Sequence, residues 1–567
     1  MLNHFIISKT DCIFCIILAL AFSASPYYIR TGSCSFNLEF VITAVYMFAF
    51  FLFFNISART VLYNYFSAWQ NELQNGSLLS RFRYLLEGKN AIYILGIIML
   101  LFWLPLLIAL YPGTLINDTW GQLQQFIMWI KTDGIAQSIL SDHHPLFDTF
   151  VMGLMIVPIV ELTGNWHVAI FTYVIMQAIL TSLSFSYSIL YVRAKLELDE
   201  KCVFLIFLLY CALPIYATSV QTVSKDALFS WIFVLFFVYF MEVVRSEGNA
   251  LNNQKFFYII LLLSVFCALA KKVAMYVIIF SFMASILAGI NNRRKVLVII
   301  ATIVTLMISI MPAIFRVANI QTGGIQEMFS MPFQQTARYV KYHPQDITQR
   351  EMAVLSKVLD YPNLAKKYNI TNADPVKDYY QKARSIEYWE YLKVWFVQFF
   401  RHPFTYVEAF NAMVSGWFSF SEYNPLMTMN WHSQLNNNII PHWVPVRPAF
   451  ASFTANALEK AYHSLYNIPI FGLFLSYGFY AAIFPAFVLS TTLRTWRGTY
   501  VKFYLVSVPM VLSIILGCWL APVSIHFEGR RYLYPVTYTA PLLLAWCIYV
   551  YQSEIAARKF PKGNTKG

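Results

Sequence analysis

Residues 90–126 read NAIYILGIIMLLFWLPLLIALYPGTLINDTWGQLQQF, and the contrast between their two halves decides the class of the molecule. From Ala91 to Leu110 no side chain carries a formal charge. A helix needs about 20 apolar residues to cross a hydrocarbon core, so this run reads as a membrane span. Pro112 and Gly113 punctuate its end as turn residues, and a carboxylate, Asp118, follows directly. Span, turn and acid in that order present a polar group just outside a membrane face.

Outward from this stretch the apolar pattern repeats along the chain. Of the 567 residues, 58% are hydrophobic, 18% aromatic and only 12% charged, about half the charged share of a soluble globular protein. A soluble fold of ordinary kind is excluded. Twelve runs meet the span criterion: 12–29, 38–57, 90–111, 167–192, 202–220, 226–245, 256–270, 273–291, 296–316, 467–491, 503–521 and 535–552. They predict an all-α polytopic membrane protein of about twelve transmembrane helices. A further run, 146–163, is apolar but holds Asp148, Pro158 and Glu161, and a carboxylate within a span costs about 2.5–3.5 kcal/mol on insertion scales.

Charge parity assigns that run. If it does not cross, the basic loops at 59–89, 193–201, 245–255, 291–295 and 494–502 share one side with the tail at 559–566, as the positive-inside rule requires. If it does, five of them change sides. The expectation is a juxtamembrane or re-entrant helix at 146–163 and cytoplasmic termini. The formal charge of +13 then follows from topology and does not indicate a nucleic-acid partner. Two outer regions result, a first loop at 111–165 and a large mixed helical domain at 317–466. They divide the chain into an N-terminal membrane module, 1–316, the outer domain, and a C-terminal membrane module, 467–567. Of the eight cysteines only Cys34 falls in an outer loop, so no disulfide framework is expected.

Candidate chemistry concentrates on the outer side. Asp118 lies in NDTW, and Asp142, His143 and His144 lie in DHHP before the run at 146–163. A carboxylate there serves as general base toward a hydroxyl or holds a divalent ion, and a histidine holds or protonates phosphate oxygens. Five cations also face outward, against the charge bias: Lys225 at a helix start, Lys271 and Lys272 in a turn between spans, and Arg530 and Arg531 in HFEGRRYLYP. Helix N-termini favour anions. The shared level of the five suggests one anionic ligand, with phosphate the best candidate. In MPFQQTAR, Gln334, Gln335 and Arg338 fall within about one helical turn, placed either to grip a sugar or phosphate or to brace the domain. The aromatic run around Trp417 reads as an interfacial anchor.

With Asp118 after an early span, Asp142 before a His-Pro element, the KD pair at Lys225 and Asp226, and the MPFQQTAR and RRYLYP segments, the chain resembles the GT-C class of integral membrane glycosyltransferases, in its bacterial cell-envelope branch. That superfamily holds protein mannosyltransferases, oligosaccharyltransferases and lipid A aminoarabinose transferases. Two extra spans precede the motif loop here, HHPL replaces the His-Pro-Pro of many relatives, and Asn117 precedes Asp118 where some have paired acids. The resemblance implies a GT-C fold in the cell membrane with an extracytoplasmic site. The donor would be a polyprenyl-phosphate-linked sugar and the acceptor an envelope glycan, lipid or protein. It implies Asp118 as general base or acceptor-positioning acid, with Asp142, His143 and His144 shaping the donor site. Lys225, Lys271, Lys272, Arg530 and Arg531 would meet the leaving phosphate. No cofactor is required, and a divalent cation stays open. Two other classes compete. A lipid-linked-saccharide transporter would show mid-membrane polar groups or inverted repeats; a polysaccharide polymerase or ligase would share the lipid-linked donor.

Overall fold

The computed structural model describes residues 7–67, 78–131, 140–381, 383–421, 448–494, 503–520 and 529–559. The protein is an all-α, multi-pass membrane protein. Nine described helices are long and apolar enough to cross a bilayer. In the first half, the elements are α1 (Lys9–Thr31), α2 (Leu38–Ser67), α3 (Leu78–Glu87), α4 (Ala91–Ala109), α5 (Asn117–Lys131), α6 (Leu146–Thr163), α7 (Trp166–Lys195), α8 (Glu200–Ala212), α9 (Pro214–Val220), α10 (Lys225–Arg245), α11 (Gln254–Ala270) and α12 (Lys272–Leu287). A long helix, α13 (Arg293–Val317), completes it.

Local sequence explains the helix limits. Ser8 caps α1 and forms a reciprocal box with Asp11, while Gly32 ends the helix at φ 75°. Asn165, Asp199, Ser224 and Asn253 cap α7, α8, α10 and α11 through their side chains. Helix α4 is apolar all round: Leu95, Met99 and Trp103 are buried, whereas Ile97, Leu101 and Phe102 are exposed. Such a helix faces protein on one side and lipid on the other.

All twelve expected spans are helical, but several are modified. The run at 202–220 is a pair, α8 and α9, bent by 52° at Leu213–Pro214, because proline cannot continue the hydrogen-bond ladder. Helices α11 and α12 are shorter than a full span, at 17 and 16 residues. The run at 467–491 breaks at Ser476 into Pro469–Leu475 and Phe479–Leu493.

The upper end of the bundle is where α4 finishes and α7 and α10 begin. There β1 (Thr114–Leu115) pairs in parallel with β2 (Thr222–Val223), Thr114 opposite Thr222. Gly113 makes this possible: its φ is 115°, and a Cβ there would stand 2.6 Å from Val174 Cγ2. The lower end carries Glu87 with Arg193 at 2.8 Å, and Glu242 with Arg245 at 2.7 Å.

Helix α6 has the length and hydropathy of a span. It begins beside His144, which touches Lys225 at the start of α10. It finishes at Gly164 and leads straight into α7, whose His167 stacks on Tyr111 at the end of α4 with 6.3 Å between ring centroids. Residues 330–391 form a second hydrophobic core built on Phe333, Leu355, Val358, Leu364 and Tyr391, separate from the bundle core. The segment between α13 and this core pairs with the loop before α6 through the Ser141–Gln321 bridge.

Candidate functional site

Four elements deliver charged side chains to one point at the upper end. The turn after α4 and the β1–β2 pair set the start of α5, where Thr119 donates to Val223 O at 2.6 Å. This places Asp118 over the start of α10. Ser224 caps α10 by accepting from Ala227 N, aiming Lys225 at the same point. Pro145 opens α6 and sets His144 on the near side. The turn Gly529–Leu533 brings Arg531 from the C-terminal module, 413 residues from Asp118 in sequence.

Asp118 Oδ2 accepts from Lys225 Nζ at 2.9 Å and from Arg531 Nη1 at 2.7 Å. Lys225 Nζ also reaches His144 Nδ1 at 2.7 Å. An ammonium only donates, so His144 Nδ1 is the acceptor and the ring proton sits on Nε2. That nitrogen lies 3.9 Å from Asp118 Oδ1. The oxygen left least engaged is therefore Oδ1, and the Asp118 side chain is 21% exposed.

A second row runs alongside. Lys271 Nζ donates to Asp226 Oδ1 at 2.6 Å, and Arg531 Nε stands 3.7 Å from Asp226 Oδ2, so Arg531 ties both rows together. Lys271 lies over the rings of Phe229 and Tyr532 at 5.5 and 5.6 Å, a cation–π setting that holds it in place. Lys272 pairs with Asp142 Oδ2 at 2.7 Å, and His143 packs on His144 with 4.5 Å between centroids.

The electrostatics follow from this packing. Burial pushes the Asp118 carboxyl up, but Lys225, Arg531 and His144 outweigh it and hold the group well below the usual carboxylate range. Burial and the adjacent Lys225 push the His144 imidazole down to about 3, so it is neutral near pH 7. Burial likewise lowers His143 and raises Asp142, the latter against the pull of Lys272.

Asp118, Asp142, His143, His144, Lys225, Lys271, Lys272 and Arg531 thus share one region. The Arg530 side chain lies outside the described residues, as do residues 495–502 and the tail at 560–567. Gln334, Gln335 and Arg338 sit elsewhere, inside the second core. Arg338 is buried and bonds Glu408 at 2.7 Å, Tyr368 at 2.9 Å and Ser33 at 2.9 Å, joining the helical domain to the α1–α2 turn. Gln335 donates to Tyr406 O and accepts from Trp395, and Gln334 donates to Asn369 O. Of the two readings of that segment, these contacts are those of a brace. Trp417 differs from the anchor expected: it is buried and donates to Cys518 O at 3.0 Å, because the C-terminal module covers it.

Two acids of the site went unassigned from sequence. Asp226 was legible only as half of the KD pair. Asp148 read as an insertion cost, yet it is fully buried one turn beyond His144, and neither carboxylate oxygen has a hydrogen-bond partner among the described residues. As for a metal at Asp118, Oδ2 is occupied by two cations and Asp142 by Lys272. Among the described residues the group that gathers three ligand atoms within 4.8 Å lies instead in the helical domain.

A family model described as DUF6020, a family of unknown function, matches residues 12–560. The chain belongs to that family. No curated protein and no solved structure matches it.

Proposed function

We propose that this protein is a membrane-embedded glycosyltransferase of GT-C type that moves a sugar from a polyprenyl-phosphate carrier to a cell-envelope acceptor on the extracytoplasmic face. The observation that carries this reading is the convergence of Asp118, His144, Lys225 and Arg531 from four distant elements at one end of a membrane bundle. A partly open carboxylate flanked by cations at membrane depth suits a substrate that is a lipid, a phosphate and a sugar at once.

In the proposed reaction an acceptor hydroxyl attacks the anomeric carbon. A carbon–oxygen bond forms, the bond from that carbon to the phosphate oxygen breaks, and the hydroxyl proton passes to Asp118 Oδ1. Polyprenyl phosphate leaves as an anion, and Lys225, Lys271 and Arg531 stabilise its developing charge. The strongly lowered Asp118 carboxyl is a weak base in the free protein. A bound phosphate draws Lys225 and Arg531 toward itself, loosening their hold and strengthening the base when it is needed. His144, neutral and protonated on Nε2, is placed to donate to the donor or to Asp118 Oδ1.

The test is transfer by purified, reconstituted protein from a polyprenyl-phosphate hexose or pentose, with products identified by mass. Asp118→Asn should remain folded and bind donor while turnover falls by roughly a hundred- to ten-thousand-fold, the usual weight of general base catalysis. Wild-type turnover in a folded Asp118→Asn variant would falsify the role. Transfer only from a pyrophosphate-linked oligosaccharide would favour a polymerase or ligase.

A further inference from the structure

The helical domain contains two His-Pro joints of the same build. His343 ends the helix Ser330–Tyr342 and precedes Pro344; His402 ends Ser385–Arg401 and precedes Pro403. Proline disfavours helical geometry in the residue before it, and the two histidines share a backbone conformation, with φ −132° and −136° and ψ 49° and 70°. Each helix is thereby stopped on an imidazole, and the two rings stack with 3.7 Å between centroids and 11° between planes. Asp346 closes the 3-10 turn after His343, and its Oδ2 accepts from His402 Nε2 at 2.8 Å.

We propose that His343, Asp346 and His402 form a binding site for a divalent transition-metal ion, with zinc the fitting representative. One ligand atom from each lies within 4.8 Å of the others. Tetrahedral zinc with bonds of about 2.0–2.2 Å spaces its ligands roughly 3.3 Å apart and lies in the plane of each ligating imidazole, so one of the two stacked rings turns out of parallel to close the set, which leaves one position for water. Two imidazoles and a carboxylate select such an ion over magnesium or calcium, which prefer all-oxygen shells.

The surroundings fit. Thr405 Oγ1 lies 2.8 Å from His343 Nε2, the way an outer partner orients a ligating imidazole by its second nitrogen. Arg401 next door does not oppose a cation at the carboxylate. Its charge is taken by Glu351, at 3.1 and 3.4 Å, and its contact with Asp346 is to the backbone carbonyl. The His402 and Asp346 side chains are 30% and 34% exposed, which gives an ion a path in. Bound metal would pin the joint between the helix Ser330–Tyr342 and the pair that follows His402, the same helix that Arg338 ties to the α1–α2 turn. Ion binding at these three residues does not depend on any glycosyltransferase activity.

Tag-free full-length protein in detergent, equilibrated with zinc ion and freed of excess by gel filtration, should retain one zinc per chain by elemental mass spectrometry. His402→Gln and Asp346→Asn should lose it, while the His143→Gln, His144→Gln double variant should keep it. Thr405→Ala should weaken binding about 10–100-fold, the usual effect of removing an orienting partner. Cobalt ion substituted for zinc should give visible absorption that His402→Gln lacks. A wild-type chain that retains no zinc overturns the proposal, as does full retention by His402→Gln or loss in the His143, His144 variant instead. If His402→Gln elutes aggregated, Thr405→Ala decides, and unchanged affinity there overturns the site.

Discussion

Asp118 receives two cations on one oxygen, and Lys225 is the one it shares with His144. The two titrations therefore move together. Asp118 is lowered in the folded protein, so its ion pairs contribute stability above the free carboxylate value of about 3.9 and lose it as pH falls through the lowered value. His144 is lowered as well, to about 3 from about 6.5, so its neutral packing also weakens on acidification, across that window. Lys225→Gln removes a lowering influence from both. The acid limb of kcat/KM, which reports the free protein, should move upward by about 1 pH unit or more in that variant. A pH–rate profile with its acid limb unmoved would show that Lys225 does not set these groups. Asp118→Asn in the same assay should lack the acid limb in the residual activity that it keeps.

At the level of elements, the site depends on how closely α5 lies on α6, since one carries Asp118 and the other follows His144. Gly153 sets that approach. A Cβ there would collide with the ring of Phe126, which is fully buried and has nowhere to go. Gln122 Nε2 donates to Thr149 Oγ1 at 3.0 Å across the same contact. Gly153→Ala should cost about 1–3 kcal/mol, as overpacked cores do, and lower the thermal midpoint in detergent. Turnover should fall further than stability alone requires, because separating α5 from α6 shifts Asp118 against His144. An unchanged midpoint would mean that the helices adjust freely and that their contact does not position the site.

For the whole molecule, the positive-inside pattern and the position of α6 make a joint prediction. With α6 lying along the membrane face, as the loop charges predict, α4 and α7 are successive crossings. Glu197, just past α7 in an exposed turn, and Thr371, in the helical domain, then lie on opposite sides of the membrane. Single cysteines at these positions, with Cys34 replaced, should be labelled by an impermeant reagent from opposite faces, Thr371 from the outside. Labelling of Glu197 from the outside and Thr371 from the inside would mean that α6 crosses, because a crossing before both positions exchanges their faces together.

Hydropathy determined the helical membrane class and where the apolar helices fall, because lipid and protein interiors reward apolar side chains alike and 20-residue runs are local features. The sequence by itself also singled out Asp118, the DHHP element and Lys225, since charges facing against the topological bias stand out along the chain. The tertiary structure alone decided which cation meets which carboxylate. Arg531 is 413 residues from Asp118, and no spacing rule relates residues that far apart. It alone decided that Asp226 completes a second ion-pair row, that Asp148 is fully buried, and that Gln334, Gln335 and Arg338 turn into the helical domain. It also broke the run at 467–491 at Ser476, where hydropathy reads without interruption. Apolar burial is a sum over neighbours in sequence, whereas an ion pair depends on where packing sets two helix ends in space.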